Sequence, residues 1–267
     1  MADLNPFRLW RGLLALPNES RPKTIAIAFL VSAICAVLVT GATVTLRPIQ
    51  AQNRALEQQA RLEALLAEIP GLTQILAQSD DMTLSTVVVD LRRAEAAQDI
   101  TPETLPGALA DTANWTQLSP QQDIANLGSS ANLKQIYLLR GPDEQVKLVI
   151  LPVSGTGYGG PIEAMVAVAD DMNTVAGLTV LSHGETPGLG ARITEPAWRQ
   201  QFSGKRIADD TGAVRLTVAR GGGSSEFEVD AITGATRTST AMANMLQFWL
   251  GPQGYGPLLQ AIRRGEF

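Results

Sequence analysis

Near the C-terminus, Asp230-Ala-Ile-Thr-Gly-Ala-Thr-Arg-Thr-Ser-Thr240 places several hydroxyls behind one acidic residue. The stretch joins a strand candidate at Phe227-Glu-Val229 to a helix expected over Ser239–Leu250 (STAMANMLQFWL). A helix start presents unpaired N–H groups and the positive end of the macrodipole, so it favours an anion such as phosphate. A threonine held beside that phosphate could become esterified to it. The same residues also suit an ordinary Ser/Thr N-cap that needs no ligand.

Two further glycine-rich stretches could approach a ligand. In His183-Gly-Glu-Thr-Pro-Gly-Leu-Gly190, Gly188 and Gly190 permit close backbone approach, while Glu185 and Thr186 offer polar side chains. It reads equally well as a turn after the strand ending near Leu181. Val153-Ser-Gly-Thr-Gly-Tyr-Gly-Gly-Pro161 follows a strand, but its glycine spacing is wrong for a dinucleotide fingerprint and no helix follows. It reads as a loop between strands. The lone His183 and the lone Cys35 exclude disulfide scaffolds, Cys-rich zinc sites and iron–sulfur clusters held by this chain alone. No metal site and no catalytic side chain is expected. Chemistry must come from hydroxyls, carboxylates, backbone donors or a borrowed cofactor.

The elements that position these residues follow from periodicity. Gln135-Ile-Tyr-Leu-Leu139 and Val146-Lys-Leu-Val-Ile-Leu151 flank Gly141-Pro-Asp-Glu as a hairpin, and Glu163–Ala169 with Val175–Leu181 flank Asp170-Asp-Met-Asn as a second. Val214–Val218 and Phe227–Val229 are further strand candidates around Gly221-Gly-Gly-Ser-Ser225. Gly251-Pro252 ends the expected helix. The fold class is α+β, an antiparallel sheet with flanking helices behind one N-terminal transmembrane helix.

That membrane helix is read from Thr24 to Leu46, a run without charge between Lys23 and Arg47. At ~1.5 Å per residue it reaches ~34 Å, enough to cross ~30 Å of hydrocarbon. The run is too long for a signal-peptide core, and Ile34 before Cys35 is too bulky for a lipoprotein site. Arg8, Arg11, Arg21 and Lys23 precede the span, against Arg47, Arg54 and Arg61 just after it, which favours a cytoplasmic N-terminus. The 267 residues carry a net charge of −5, so a basic nucleic-acid binder is excluded. The expected organisation is a basic arm at 1–23, the span at 24–46, a helical stalk at 47–71, an irregular part at 72–132 with Thr83–Leu91 strand-like, and the ligand-binding domain at 133–267.

Asp230-x-x-Thr-Gly-Ala-Thr236 resembles the flavinylation motif of membrane-anchored FMN-binding domains. Gly184-Glu-Thr-Pro-Gly-Leu-Gly190, the run Leu148-Val-Ile-Leu-Pro with Gly155 and Gly157, and the tail Phe248-Trp-Leu-Gly-Pro-Gln-Gly-Tyr-Gly-Pro257 accompany it in order. Together they resemble the single-span, FMN-carrying subunit family of the Na+-translocating NADH:quinone oxidoreductase. The likeness covers the membrane helix and residues 133–267 and is weak across 72–130. It departs at Thr233, where serine is commoner, and at Tyr255, where phenylalanine is usual.

The resemblance implies FMN joined to Thr236 by a phosphoester, with Asp230 the acidic motif residue read by a flavin transferase. Gly155, Gly157, Glu185, Thr186, Gly188, Leu189 and Gly190, with Thr233, Gly234, Ala235 and Thr238, would surround or shape the flavin site. It implies a periplasmic domain on the bacterial inner membrane, in a complex containing a second FMN subunit and an iron–sulfur-bearing subunit pair. Such a protein relays single electrons, coupling NADH oxidation and quinone reduction to Na+ export. Two other readings share features of the sequence: the FMN subunit of an Rnf-type ferredoxin:NAD+ oxidoreductase, and a membrane-anchored sensor or binding module without a redox role.

Overall fold

The computed structural model describes residues 15, 17, 20–41, 82–221, 223 and 225–267. Most of the expected arm, the end of the span at 42–46 and the expected stalk at 47–71 lie outside them. Two compact units are present, Met1–Ala60 and Arg61–Phe267. In the first, helix α1 covers Arg21–Gly41, 21 residues of mean hydropathy 2.4 with none of that stretch buried. Its length of ~32 Å at ~1.5 Å per residue matches the hydrocarbon thickness. Among the described residues, α1 is the one helix long and apolar enough to cross a membrane.

The second unit is built on a six-stranded sheet in the order β2-β1-β5-β6-β7-β8. Its strands are β1 (Thr83–Asp90), β2 (Glu95–Ala96), β5 (Leu133–Arg140), β6 (Val146–Thr156), β7 (Pro161–Ala169) and β8 (Val175–His183), all paired antiparallel. β3 (Trp115–Gln117) and β4 (Ser129–Ala131) form a separate antiparallel pair. Both expected hairpins are present as β5–β6 and β7–β8. The stretch read as irregular thus carries four strands between 83 and 131, and β1 lies inside the main sheet. The first residues of β1 are exposed or half-buried, so only its last three, Val88 to Asp90, carry a burial signal.

Alternation along β6 and β7 explains their continuous apolar sequences. Val149, Leu151, Val153, Ala164, Val166 and Val168 join the larger core, whereas Leu148, Ile150, Met165 and Ala167 join a cluster on the opposite face. Residues on both faces are buried, so the strands read as unbroken hydrophobic runs. The larger core receives helix α2 (Thr236–Leu250) through Met242, Met245, Leu246 and Trp249, spaced i, i+3, i+4, i+7. Helix α3 (Gly256–Arg263) follows, with Leu258, Leu259 and Ile262 buried.

The tail anchors α2 to the sheet. The Trp249 indole donates to the Ser154 carbonyl at 2.6 Å, and the buried Tyr255 hydroxyl donates to the Pro152 carbonyl at 2.8 Å. The two rings pack with centroids 5.4 Å apart. Tyrosine rather than phenylalanine at 255 thereby adds a polar tie to β6. These contacts fix the C-terminal end of α2, and so the direction in which its N-terminus points.

β9 (Thr217–Ala219) and β10 (Glu228–Asp230) differ from the antiparallel rule: they pair in parallel as a two-stranded ribbon outside the main sheet. Helix α2 begins at Thr236, three residues earlier than expected, because the polar Thr236-Arg-Thr238 turn breaks the apolar period without breaking the helix.

On β5, Lys134 lies with its Nζ 4.5 Å from the centroid of the Trp249 ring. Burial pushes its pKa down to about 8. Below that value both folded and unfolded chains hold the proton, and the desolvation penalty is fully present. Between about 8 and ~10.4 the unfolded chain binds more protons, so stability rises with pH. Lys134→Met is expected to stabilise the domain at neutral pH by about 1–3 kcal/mol, an advantage that shrinks as pH approaches ~10. Melting of both chains at the two pH values checks the sign.

Candidate functional site

Three segments of the second unit converge on one cavity. The first is the loop between β6 and β7, closed by a Gly157 N–H to Gly160 carbonyl bond of 2.7 Å. The second runs from His183 at the end of β8 to Gly190. The third is the turn from Asp230 through Gly234 into helix α2. The cavity has a volume of about 410 Å³ and is lined by Tyr158 from the first segment, by Glu185, Thr186, Leu189 and Gly190 from the second, and by Gly234, Ala235, Thr236, Arg237 and Thr238 from the third. That volume is within the ~300–1,000 Å³ of small-molecule sites.

Glu185 holds the three segments together. It is 4% exposed, and its carboxylate accepts from the Thr238 hydroxyl at 2.5 Å and from the Gly159 N–H at 3.1 Å. Its own N–H donates to Nδ1 of His183 at 3.1 Å, which gives that histidine a structural task. A carboxylate beside a helix N-terminus is favourably placed by the dipole. Two glycines make the arrangement possible. A Cβ on Gly159 would collide with the Gly184 carbonyl, and one on Gly190 would stand 2.5 Å from Glu185 Oε2 and 2.6 Å from Thr238 Oγ1.

The start of α2 is open. Its N-cap is Ala235, without a side-chain capping bond, so the hydroxyl-capped helix start is corrected. Ser239 instead accepts from the Ile232 N–H at 3.0 Å, steadying the turn from inside. At the other end of the turn, Asp230 donates its N–H to Gln201 Oε1 at 3.0 Å, and its carbonyl accepts from the Trp198 indole at 2.8 Å. Thr236 is exposed, and its Oγ1 accepts from Nη2 of Arg220 at 2.6 Å.

The expected residues divide by position. Glu185, Thr186, Leu189, Gly190, Gly234, Ala235, Thr236 and Thr238 line the cavity. Gly188 belongs to the same loop, with φ +74°, but is not in the lining. Gly157 abuts Glu185 and lines a neighbouring cleft with Tyr158, Thr236 and Arg237. Thr233 lines another cleft, of about 410 Å³, on the Arg220 side. Gly155 packs under α2, where an added Cβ would meet Met245 at 3.1 Å, so it supports the helix rather than lining the cavity. Asp230 is exposed and lies outside these clefts, with Gly223 beside its carboxylate.

Tyr158, Arg237 and Arg220 carry no such expectation from sequence. Arg237 stacks over Tyr158 at 5.3 Å from its centroid. Tyr158 is 63% and Leu189 49% exposed, so two large apolar surfaces stand uncovered at the mouth. A ligand with an anionic end and a flat apolar ring fits this chemistry: open helix N–H groups and arginines for the anion, and Tyr158 and Leu189 for the ring.

The FMN-binding domain family matches residues 157–251, which span the three segments. The chain is 38% identical over 257 residues to NqrC of the Na(+)-translocating NADH-quinone reductase of Yersinia pestis, covering 93% of this chain and 95% of that one. It is 34% identical to the same component of the reductase of Neisseria meningitidis, covering 92% of this chain and 96% of the relative. Among solved structures, the crystal structure of Shewanella oneidensis NqrC aligns with a TM-score of 0.66 at 24% identity, over 79% of this chain and 99% of that one.

Proposed function

The chain belongs to the NqrC family of Na(+)-translocating NADH-quinone reductase subunits, and from that premise we propose that it is the membrane-anchored, FMN-carrying electron-transfer subunit of such a reductase. FMN is joined to Thr236 through a phosphoester. The observation that carries this reading is the position of Thr236: an exposed hydroxyl on the first turn of an uncapped helix, at the rim of the cavity.

When bound, the flavin supplies the redox chemistry, accepting and donating electrons singly or in pairs. The chain's own residues bind and orient it. The first N–H groups of α2 and the arginines beside Thr236 would hold the phosphate. Tyr158 and Leu189 would flank the ring and exclude water from it. Glu185, through Thr238 and Gly159, holds the wall that they stand on. Attachment removes the entropic cost of capturing a free cofactor each time, and it prevents loss to a compartment poor in FMN. Asp230 would be read by a flavin transferase rather than touch the ring, a role that its exposure supports.

The protein acts as a relay between one-electron centres of neighbouring subunits, among them a second FMN subunit and an iron–sulfur-bearing pair. In this way it contributes to coupling NADH oxidation and quinone reduction to Na+ export. No Rossmann fingerprint for NADH is present in its sequence, and its net charge of −5 disfavours a dinucleotide's phosphates. The purified, flavin-loaded protein should therefore be reduced by dithionite and show no NADH oxidation of its own. Rapid flavin bleaching on addition of NADH contradicts the relay.

The domain lies on the periplasmic side of the bacterial inner membrane. A reporter fused after Phe267 is expected to behave as periplasmic, and one fused before Met1 as cytoplasmic. The reverse pattern overturns this orientation.

A further inference from the structure

We propose that Arg220 is the phosphate clamp of this site: a positioning residue whose guanidinium orients the Thr236 hydroxyl before attachment and neutralises the phosphodiester after it. The inference rests on the reading that Thr236 carries the flavin phosphate.

The parallel β9–β10 ribbon brings the two residues together. Ala219 pairs with Asp230, and the Ala231 N–H donates to the Ala219 carbonyl at 2.8 Å, which extends the ladder one step. Arg220 leaves the end of β9 there, alongside the turn that leads into α2. Its Nη2 reaches Thr236 Oγ1 at 2.6 Å, across a cleft that both residues line with Ile232 and Thr233.

Its charge is uncommitted. Arg192, Arg206 and Arg215 each pair with a carboxylate, but among the described residues no carboxylate pairs with Arg220, and its hydrogen bond goes to a neutral hydroxyl. A guanidinium presents a planar fork of donors that suits two phosphate oxygens better than one hydroxyl. A phosphate on Oγ1 would carry a single negative charge at the uncapped start of α2, on the atom that the guanidinium already reaches. Arg220 approaches from the Thr233 side, leaving the Tyr158–Leu189 side to the ring.

In attachment, the Thr236 Oγ1–H bond breaks and an Oγ1–P bond forms, while the anhydride P–O bond of an activated flavin nucleotide breaks and its leaving phosphate departs. The flavin transferase supplies that donor and takes up the proton. Arg220 exchanges neither proton nor electrons; it orients the hydroxyl and steadies charge on phosphorus. Thr238, 2% exposed and donating to Glu185, lacks such a partner, which distinguishes the two hydroxyls within one turn.

The test uses the full chain produced in membranes together with a flavin transferase. It follows the appearance of covalent flavin fluorescence over time and the 31P resonance of the attached phosphate. Arg220→Gln should slow attachment about ten- to a hundredfold, the effect of losing a hydrogen bond to a charged group, and should shift the resonance of whatever flavin attaches. Arg220→Lys, which keeps the charge but loses the fork, should fall between Arg220→Gln and the parent chain. Arg93→Gln, at an exposed arginine on the far side of the sheet order, should match the parent in both readouts. Melting of the unmodified chains should not separate Arg220→Gln from the parent, because the side chain is exposed. Parental attachment rate with an unmoved resonance in Arg220→Gln overturns the proposal, and so does an equal loss in Arg93→Gln. Fluorescence retained in Thr236→Val would instead show that the underlying reading is wrong, and the clamp would fall with it.

Discussion

Thr236→Ala is expected to remove all covalent flavin while leaving the domain folded. The side chain is exposed, and its hydroxyl accepts one bond from the exposed Arg220 without capping the helix. Alanine is also the better helix former, so the stability change should lie within about 0.5 kcal/mol. Flavin fluorescence on a denaturing gel and a melting curve read the two effects separately. Thr236→Ser keeps the hydroxyl and should retain part of the attachment. The neighbouring threonines are poor substitutes: Thr238 is buried with its hydroxyl committed to Glu185, and Thr233 faces a different cleft. Fluorescence that survives in Thr236→Ala would move the attachment elsewhere.

Gly190→Ala should damage the site through a single added methyl group. The new Cβ would stand 2.5 Å from Glu185 Oε2 and 2.6 Å from Thr238 Oγ1, the two atoms of the bond that joins the second segment to helix α2. Neither partner has room to retreat, since both side chains are buried. The loop must shift or the bond must break. Overpacking and the loss of a buried hydrogen bond each cost about 1–3 kcal/mol. The cavity wall moves with them, and the flavin-to-protein ratio reached in a fixed time should fall with the attachment rate, at least about tenfold, roughly 1.4 kcal/mol of activation free energy. A parental ratio with an unchanged melting temperature would remove Glu185 from its place as the site's staple.

The parts of this site that were legible in the sequence are those encoded by local backbone chemistry. The Thr-Gly-Ala-Thr turn, the glycines of 183–190 and the two hairpins are short-range patterns, and each is present where its residues stand. What escaped depends on segments distant in sequence. Arg220 meets Thr236 because a parallel ribbon brings the end of β9 beside the turn after β10, and a glycine-rich connection conceals that pairing. Tyr158 reads as a loop aromatic until the 183–190 segment backs onto its loop through Gly159 and Gly184. Gly155 illustrates the converse: a glycine beside the motif residues in sequence that serves helix packing against Met245. The capping expectation was misplaced because the hydroxyls of Thr238 and Ser239 turn to Glu185 and to the Ile232 N–H, leaving the helix end open.

Peptide mapping by mass spectrometry, on the full chain made with a flavin transferase, decides whether Thr236 bears the flavin. One peptide, containing Thr236, should be heavier by one FMN less one water, with fragment ions assigning the increment to that residue. The same increment on a peptide lacking Thr236, or flavin released intact when the chain is denatured, would contradict it.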